Sequence, residues 1–297
     1  MNLRALFRQP VLSVSFQQSE ALWAIGGRGR ITASGRVPLP PGLVNDGVVT
    51  DPERAGLLLR EAPDFTGNAR MQAVAGLPAQ RTVVRTLKLP PLQGRPFAEM
   101  VEREIRRELP VVAENAYVSW TPGTRHADSI DVLAIGLARD VLDSHVAALR
   151  AAGLAPVAAD LRLIASARAL GLPDCILASV EAAEVELGIF RGGVPVILRH
   201  VALAASPGDS AWIDQIQEEL LRTNKFYFDS HRDDSAFNEL PISFTGGAAS
   251  RVILSGKLGA ATGHEIQMPP AVLTLHPEEE GPRFAANIGL TLKDMAA

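Results

Sequence analysis

The sequence predicts an α/β protein of two related lobes with a small α+β unit inserted in the first. Two observations carry this expectation. A three-strand pattern with matching turn chemistry occurs twice at a constant offset of 164 residues. Between the two copies runs a series of strand, helix, two strands, helix and strand from about residue 82 to residue 157.

The first copy reads as three antiparallel strands, Val11 to Phe16, Ala21 to Ile25 and Ile31 to Val37, with Gly26-Gly27-Arg28-Gly29 as a turn. The second copy reads Ile176 to Val180, Val185 to Phe190, the turn Arg191-Gly192-Gly193, and Val194 to Val201. The offset pairs Leu12 with Ile176, Ser15 with Ser179, Glu20 with Glu184, Ile25 with Ile189, Gly29 with Gly193, Val37 with Val201 and Leu39 with Leu203. Duplicated sheets opening two halves of one chain imply two lobes around a cleft.

Between the copies, Asp51-Pro52 starts a helix with Asp as N-cap, although Thr50 with Glu53 also reads as a capping box. Ala55, Leu58, Leu59 and Ala62 share its face, and Pro63 ends it. Met71 to Leu77 and Thr82 to Leu89 read as strands. From Pro96 to Leu109 a helix shows Phe97, Met100, Val101, Ile105 and Leu109 on one side, with Glu99 to Arg103 and Glu102 to Arg106 at ion-pair spacing opposite. Val118 to Thr121 and Ile130 to Leu137 are strands. A helix from Arg139 stops at Gly153, then Pro156 to Leu161 is a strand and Arg162 to Leu170 a helix. The second half continues with a long helix from about Ser210 to Tyr227, a strand from Pro241 to Phe244 ending in Thr245-Gly246-Gly247, and a final helix from Phe284 to Leu292.

Composition narrows the function. The 297 residues are 47% hydrophobic, enough for real cores. The net charge of -4 and the lack of a basic run remove the electrostatic footprint of a nucleic-acid binder. Cys175, the single cysteine, excludes an internal disulfide and reads as a buried strand residue. No signal peptide and no apolar stretch of about 18 residues occurs, so a cytoplasmic protein without direct membrane insertion is expected.

Several segments, in order, resemble the type IV pilus assembly PilM family. Leu43-Val44-Asn45-Asp46-Gly47-Val48-Val49-Thr50-Asp51-Pro52 is similar to its "xVxxGxIxDP" segment. Arg85-Thr86-Leu87-Lys88-Leu89-Pro90-Pro91, followed by a helix ending in Glu108-Leu109-Pro110, resembles its strand, "lPpl" turn and helix. Ala151-Ala152-Gly153-Leu154 looks like its "eaAGLkp" turn, and Glu218 to Tyr227 like its late helix. Thr245-Gly246-Gly247-Ala248 resembles its "TGGgA" turn and Phe284-Ala285-Ala286-Asn287-Ile288-Gly289-Leu290 its closing helix. The resemblance implies an actin-like (ribonuclease H-like) two-lobed fold with a nucleotide cleft. The expected division is a first lobe of residues 1–81 and 158–173, an inserted subdomain of 82–157, and a second lobe of 174–297. It also implies a place in the pilus assembly platform, where the partners are the N-terminal cytoplasmic tail of the inner-membrane protein PilN and other platform proteins.

The chain departs from that family where the chemistry lies. Actin-like ATPases carry a phosphate loop Asp-x-Gly in each hairpin, because the Asp orients magnesium and the Gly lets backbone N–H groups approach phosphate. Here Ser15 stands at the first Asp, Gln17 at its Gly and Leu22 near the family's lysine; Ser179 and Glu181 stand in the second loop. A carboxylate roughly 5 Å from a phosphate, at an effective dielectric of about 20, is repelled by roughly 3 kcal/mol per pair of charges. That is a large part of the roughly 8 kcal/mol of a micromolar site, and it is smaller if Glu181 and Glu184 point into solvent. Gly246 and Gly247 remain, but a strand-to-helix turn wants glycine for its conformation alone. Only Ala204 to Asp209 separates Leu203 from the long helix, so the second lobe is expected to lack the family's upper subdomain.

Other chemistry is not indicated. His126, His145, His200, His231, His264 and His276 lack metal-ligand spacing, and Asp233-Asp234 and Glu278-Glu279-Glu280 read as solvated loop charge. The glycines before Arg30 sit mid-hairpin with no following helix, as a turn. The leading expectation is therefore a pseudo-ATPase scaffold with no cofactor. Its partner tail is expected near Asn45, Val48 and Val49 and the helix carrying Phe97 and Val101, by strand addition. The alternatives are an ATP-binding PilM using Mg-ATP through unusual loops, an FtsA-like cytoskeletal protein, whose closing amphipathic helix is not found after Lys293, and a type II secretion L-like protein, whose transmembrane helix is not found.

Overall fold

The computed structural model describes residues 10–27, 30–62, 65, 70–108, 115–254, 256–267 and 281–293. The first lobe opens with β1 (Val11–Phe16), β2 (Glu20–Gly27) and β3 (Arg30–Pro38), an antiparallel meander. A short hairpin, β4 (Val44–Asn45) and β5 (Val48–Val49), was not read from sequence; Asp46 and Gly47 both take positive φ in its turn. The helix α1 (Pro52–Arg60) follows, and Asp51 is its cap, accepting from the Arg54 amide at 3.0 Å. Thr50 is not the cap; its hydroxyl donates to the Gly42 and Leu43 carbonyls. The strand β6 (Gln72–Leu77) then lies parallel to β1.

The inserted unit comprises β7 (Thr82–Leu89), α2 (Arg95–Glu108), β8 (Ala116–Arg125) and β9 (Ile130–Ala138), with sheet order β7-β9-β8. One side of α2 supplies Phe97, Val101 and Ile105, which pack on Leu87, Leu89, Ile130 and Val132. On its outer side Glu102 pairs with Arg106, while Glu99 pairs with Arg95. Leu109 and Pro110 lie outside the described residues.

The insert is smaller than residues 82–157. The helix α3 (Arg139–Ala151) buries Val141, Ala148 and Leu149 in the first-lobe core, and β10 (Ala155–Leu161) pairs with β6, giving the order β10-β6-β1-β2-β3. Gly153 at φ 81 makes the turn between them. Residues 139–157 therefore belong with the first lobe: α3 has its apolar face toward α1, and β10 pairs along its length with β6.

After α4 (Arg162–Leu170), capped by Gly171 at φ 67, the second lobe repeats the first. Its strands β11 (Cys175–Val180), β12 (Glu184–Arg191) and β13 (Val194–Ala202) sit at the same offset as β1, β2 and β3. The likeness extends to single hydrogen bonds. Gln17 N to Glu20 O at 2.8 Å matches Glu181 N to Glu184 O at 2.9 Å, and Leu39 N to Ser19 O matches Leu203 N to Ala183 O, both at 2.8 Å. Gly29, one of the expected pairs, lies outside the described residues.

The helix α5 (Ser210–Ser230) follows β13 after residues 203–209. The strand β14 (Ile242–Thr245) runs parallel to β11 as β6 does to β1, and Ile266 makes one parallel bridge to Ile242 where β10 would lie. Two short helices, α6 (Ala249–Leu254) and α7 (Lys257–Thr262), precede the closing α8 (Ala285–Thr291).

Separate cores fill the two lobes, and a third joins them. Leu12, Val14, Phe16, Leu59 and Leu149 centre the first; Ile176, Val185, Trp212, Ile216 and Phe244 centre the second. The joining core contains Leu22, Leu163, Cys175, Leu177, Phe190, Phe284 and Ile288, and burial pushes the Cys175 thiol up to about 12. Here α8 crosses α4 so closely that a Cβ at Gly289 would lie 1.7 Å from the Ala165 carbonyl oxygen. Among the described residues no helix is long and apolar enough to cross a membrane.

Candidate functional site

Each hairpin sends its β1–β2 or β11–β12 turn to the junction between the lobes. Because the lobes are related by the duplication, equivalent residues meet there. Gln17 Nε2 donates to Glu181 Oε1 at 3.3 Å, joining two positions that the offset makes equivalent. Glu181 Oε1 also accepts from the Gly247 amide at 3.1 Å. The turn that provides this amide is strained by design: Gly246 has φ +93, and a Cβ there would lie 2.4 Å from the Val180 carbonyl oxygen. Half-buried Glu181 thus turns its carboxyl into the junction. A backbone N–H of the kind that cradles phosphate is bonded to the protein's own carboxylate.

Burial pushes the Glu181 carboxyl up to about 7, against the pull of the Gly247 hydrogen bond and Arg162, with Glu20 and Glu184 adding to the rise. Around it stands a buried charge network that sequence reasoning missed. Arg162, at the start of α4, donates to Glu186 Oε1 at 2.9 Å and Glu184 Oε1 at 3.3 Å. Glu186 Oε1 also accepts from the Ala79 amide of the first lobe at 2.8 Å, so this carboxylate bonds both lobes. His200 lies 3.1 Å from Glu184 Oε2. Burial alone would raise Glu184, but His200 and Arg162 outweigh it and hold the carboxyl at about 2. Burial would lower Arg162, and Glu186 and Glu184 more than offset it, so the guanidinium stays charged.

The first lobe has a counterpart. Glu20 pairs with Arg283 and lies 3.8 Å from Arg36, and Arg36 and His200 are equivalent under the duplication. Arg283 Nη2 reaches the Gly247 carbonyl at 3.5 Å. Behind these charges, Asn287 donates its amide to the Ser13 and Leu22 carbonyls and to Ser13 Oγ. A cavity of about 10 Å³ lies between Gln17, Gln18, Pro78, Arg162 and Glu184. Ligand pockets commonly measure about 300–1,000 Å³.

Ser15 is fully buried on β1 and abuts Gly76 of β6, where a Cβ would lie 2.2 Å from its Oγ; its hydroxyl finds no partner among the described residues. Ser179, half-buried on β11, pairs with Thr245 in register. The structure therefore brings Gln17, Glu181, Gly246 and Gly247 together and leaves the two serines in the strands behind them.

The expected partner-binding residues separate. Asn45 is exposed and Val48 half-buried on the β4–β5 hairpin. Val49 is buried at 1% exposure, and Phe97 and Val101 are core residues of the insert, because α2 spends its apolar face on its own sheet. These three are corrected from surface candidates to packing residues. Asp234 is also not a solvated loop charge: it accepts from Arg191 and from the Tyr227 hydroxyl at 2.7 Å. The described histidines each have a structural partner, including His145, whose Nε2 meets the Gly47 carbonyl at 3.1 Å. His276 and Glu278 to Glu280 lie outside the described residues. A signal for the missed network existed in Arg162, a lone cation between Leu161 and Leu163, and in Glu184 and Glu186, two acids on one face of an otherwise apolar strand.

Two duplicated lobes, a shared helical junction and a turn of the Thr-Gly-Gly type define an actin-like fold. Among solved structures, this chain superposes on a chain of the PilM-PilN type IV pilus biogenesis complex with a TM-score of 0.77, 20% sequence identity, and coverage of 96% of this chain and 98% of that one. The ethanolamine utilization protein EutJ from Carboxydothermus hydrogenoformans follows at TM-score 0.56 and 16% identity, covering 96% of this chain and 90% of that one. No family model and no curated protein matches the sequence.

Proposed function

We propose that this protein is a scaffold of type IV pilus assembly that binds the cytoplasmic tail of a PilN-like inner-membrane protein and does not hydrolyse ATP. The observation that carries the second half is the Glu181 carboxylate on the Gly247 N–H. The Glu181 carboxyl already occupies the donor that a phosphate would need, and as it ionises near pH 7 its charge opposes any phosphate beside it. Ser15 and Ser179 add no magnesium-orienting acid, so the residues of the junction do not fit Mg-ATP. Glu186 and Arg162 bond the lobes through the protein's own side chains.

The likeness to a chain of the PilM-PilN complex over nearly the full length of both chains supports the first half. In this reading the protein sits at the cytoplasmic face of the inner membrane through its partner, beside other platform proteins. Asn45 and Val48 are the surface positions proposed to meet the tail. The test is titration calorimetry of the purified protein with a synthetic PilN-like tail peptide. Saturable binding unchanged by Mg-ATP is expected; absence of binding removes the tail, and binding that requires ATP removes the pseudo-ATPase.

A further inference from the structure

Away from the junction, the insert and the second lobe leave a groove whose walls are two sheet edges. The strands β7 and β13 are each the terminal strand of their own sheet, and they approach within 8 Å between Cα atoms without belonging to one sheet. The groove between them holds about 490 Å³ and is closed on one side by α5. Its apolar surface comes from Val84, Val196 and Phe226, and its charge from Arg85, Arg199 and Arg222.

We infer that this groove binds an extended segment of a partner protein in which acidic and apolar residues alternate. Three features point to that chemistry. Terminal strands present unpaired backbone groups on their outer side, and these recognise an extended chain by strand addition. A segment in that conformation sends alternate side chains to opposite faces, so one set meets the valines and Phe226 while the other meets the rim. Phe226 is 60% exposed, the most exposed large apolar side chain among the described residues, and stands at the groove wall.

The rim favours acid. Arg199 and Arg222 share Glu219, at 3.1 and 2.6 Å, and Arg222 also takes Glu218 at 2.8 Å. Arg85 has no carboxylate partner among the described residues; its Nη1 turns back to the Val84 carbonyl at 2.9 Å. An incoming carboxylate offers Arg85 a charge-assisted pair and frees an edge carbonyl for the incoming backbone. With a net charge of -4 for the chain and one unpaired guanidinium in the groove, nucleic acid is a poor match. The groove is separate from Asn45 and from the lobe junction, so the inference stands whether or not a PilN-like tail binds there.

The probe is a fluorescein-labelled, end-capped peptide of about eight residues alternating valine and glutamate, long enough for one strand. Its counterparts are the valine–lysine peptide and a version with a central proline. Binding is read by anisotropy against the full chain and the exposed-site variants Arg85→Glu and Phe226→Ala, whose folding is checked by their melting curves. The glutamate peptide is expected to bind at least about tenfold tighter than either counterpart, and each variant to weaken it about tenfold or more. The inference is overturned if the glutamate peptide does not bind, if all three peptides bind alike, or if both variants bind as the unaltered protein does.

Discussion

Replacing Glu181 with Gln isolates the cost of holding a carboxylate at the lobe junction. The substitution keeps the shape and an oxygen that accepts from Gly247 N and Gln17 Nε2, and it removes the charge. The folded carboxyl is held at about 7 against an ordinary 4.5, chiefly by burial. A raised folded pKa means that the native state binds the proton more tightly than the unfolded chain, so this group's contribution is favourable below pH 4.5 and is lost as pH rises through 7. At about 1.4 kcal/mol per pH unit, the gap of about 2.5 units costs about 3 kcal/mol by pH 8. Urea unfolding at pH 4 and pH 8 is the assay. Glu181→Gln is expected to match the unaltered protein at pH 4 and to exceed it by about 3 kcal/mol at pH 8, as a higher midpoint with the slope unchanged. Equal stability at pH 8, or a less stable variant there, would show that the carboxylate is either solvated or a net fastener of the lobes, and would refute the reasoning.

Other consequences follow from the same junction. Arg162→Met leaves Glu184 and Glu186 buried without their shared cation, and is expected to lower urea stability by about 3–5 kcal/mol at neutral pH. His145 is held down at about 4, first by burial, so it should remain neutral at pH 5 by NMR; because the unfolded imidazole takes up its proton near 6.5, its contribution to stability is full above pH 6.5 and falls by about 3 kcal/mol as pH drops toward 4. Gly289→Ala drives a methyl into the Ala165 carbonyl where α8 crosses α4, and is expected to cost about 1–3 kcal/mol or more, read as a lower melting temperature.

The duplicated hairpins were legible because strand alternation and glycine turns are local signals, and each lobe repeats them at one offset. The insert was legible in kind but not in extent. Its strand–helix rhythm continues through α3 and β10, and only the pairing of β10 with β6 shows where the chain has returned to the first lobe. Phe97 and Val101 were visible as one apolar helix face, yet nothing in their spacing says whether a sheet of the same chain or a partner covers that face. That neither hairpin carries an Asp-x-Gly loop could be read directly at Ser15, Gln17, Ser179 and Glu181. The direction of the Glu181 side chain could not, because it depends on Gly247, 66 residues away. The partnership of Arg162, Glu184 and Glu186 is likewise a product of tertiary approach, and isolated charges are ordinarily read as solvated.

Thermal unfolding with and without Mg-ATP tests most directly whether the lobe junction is closed to nucleotide. A ligand present at about 100 times its dissociation constant stabilises the folded state by about 2.7 kcal/mol, and in a chain of this size that raises the melting temperature by roughly 5 °C. No rise is expected at millimolar Mg-ATP, because Glu181 holds the Gly247 amide. A rise of several degrees that vanishes with magnesium alone would contradict a scaffold whose cleft is filled by its own charges.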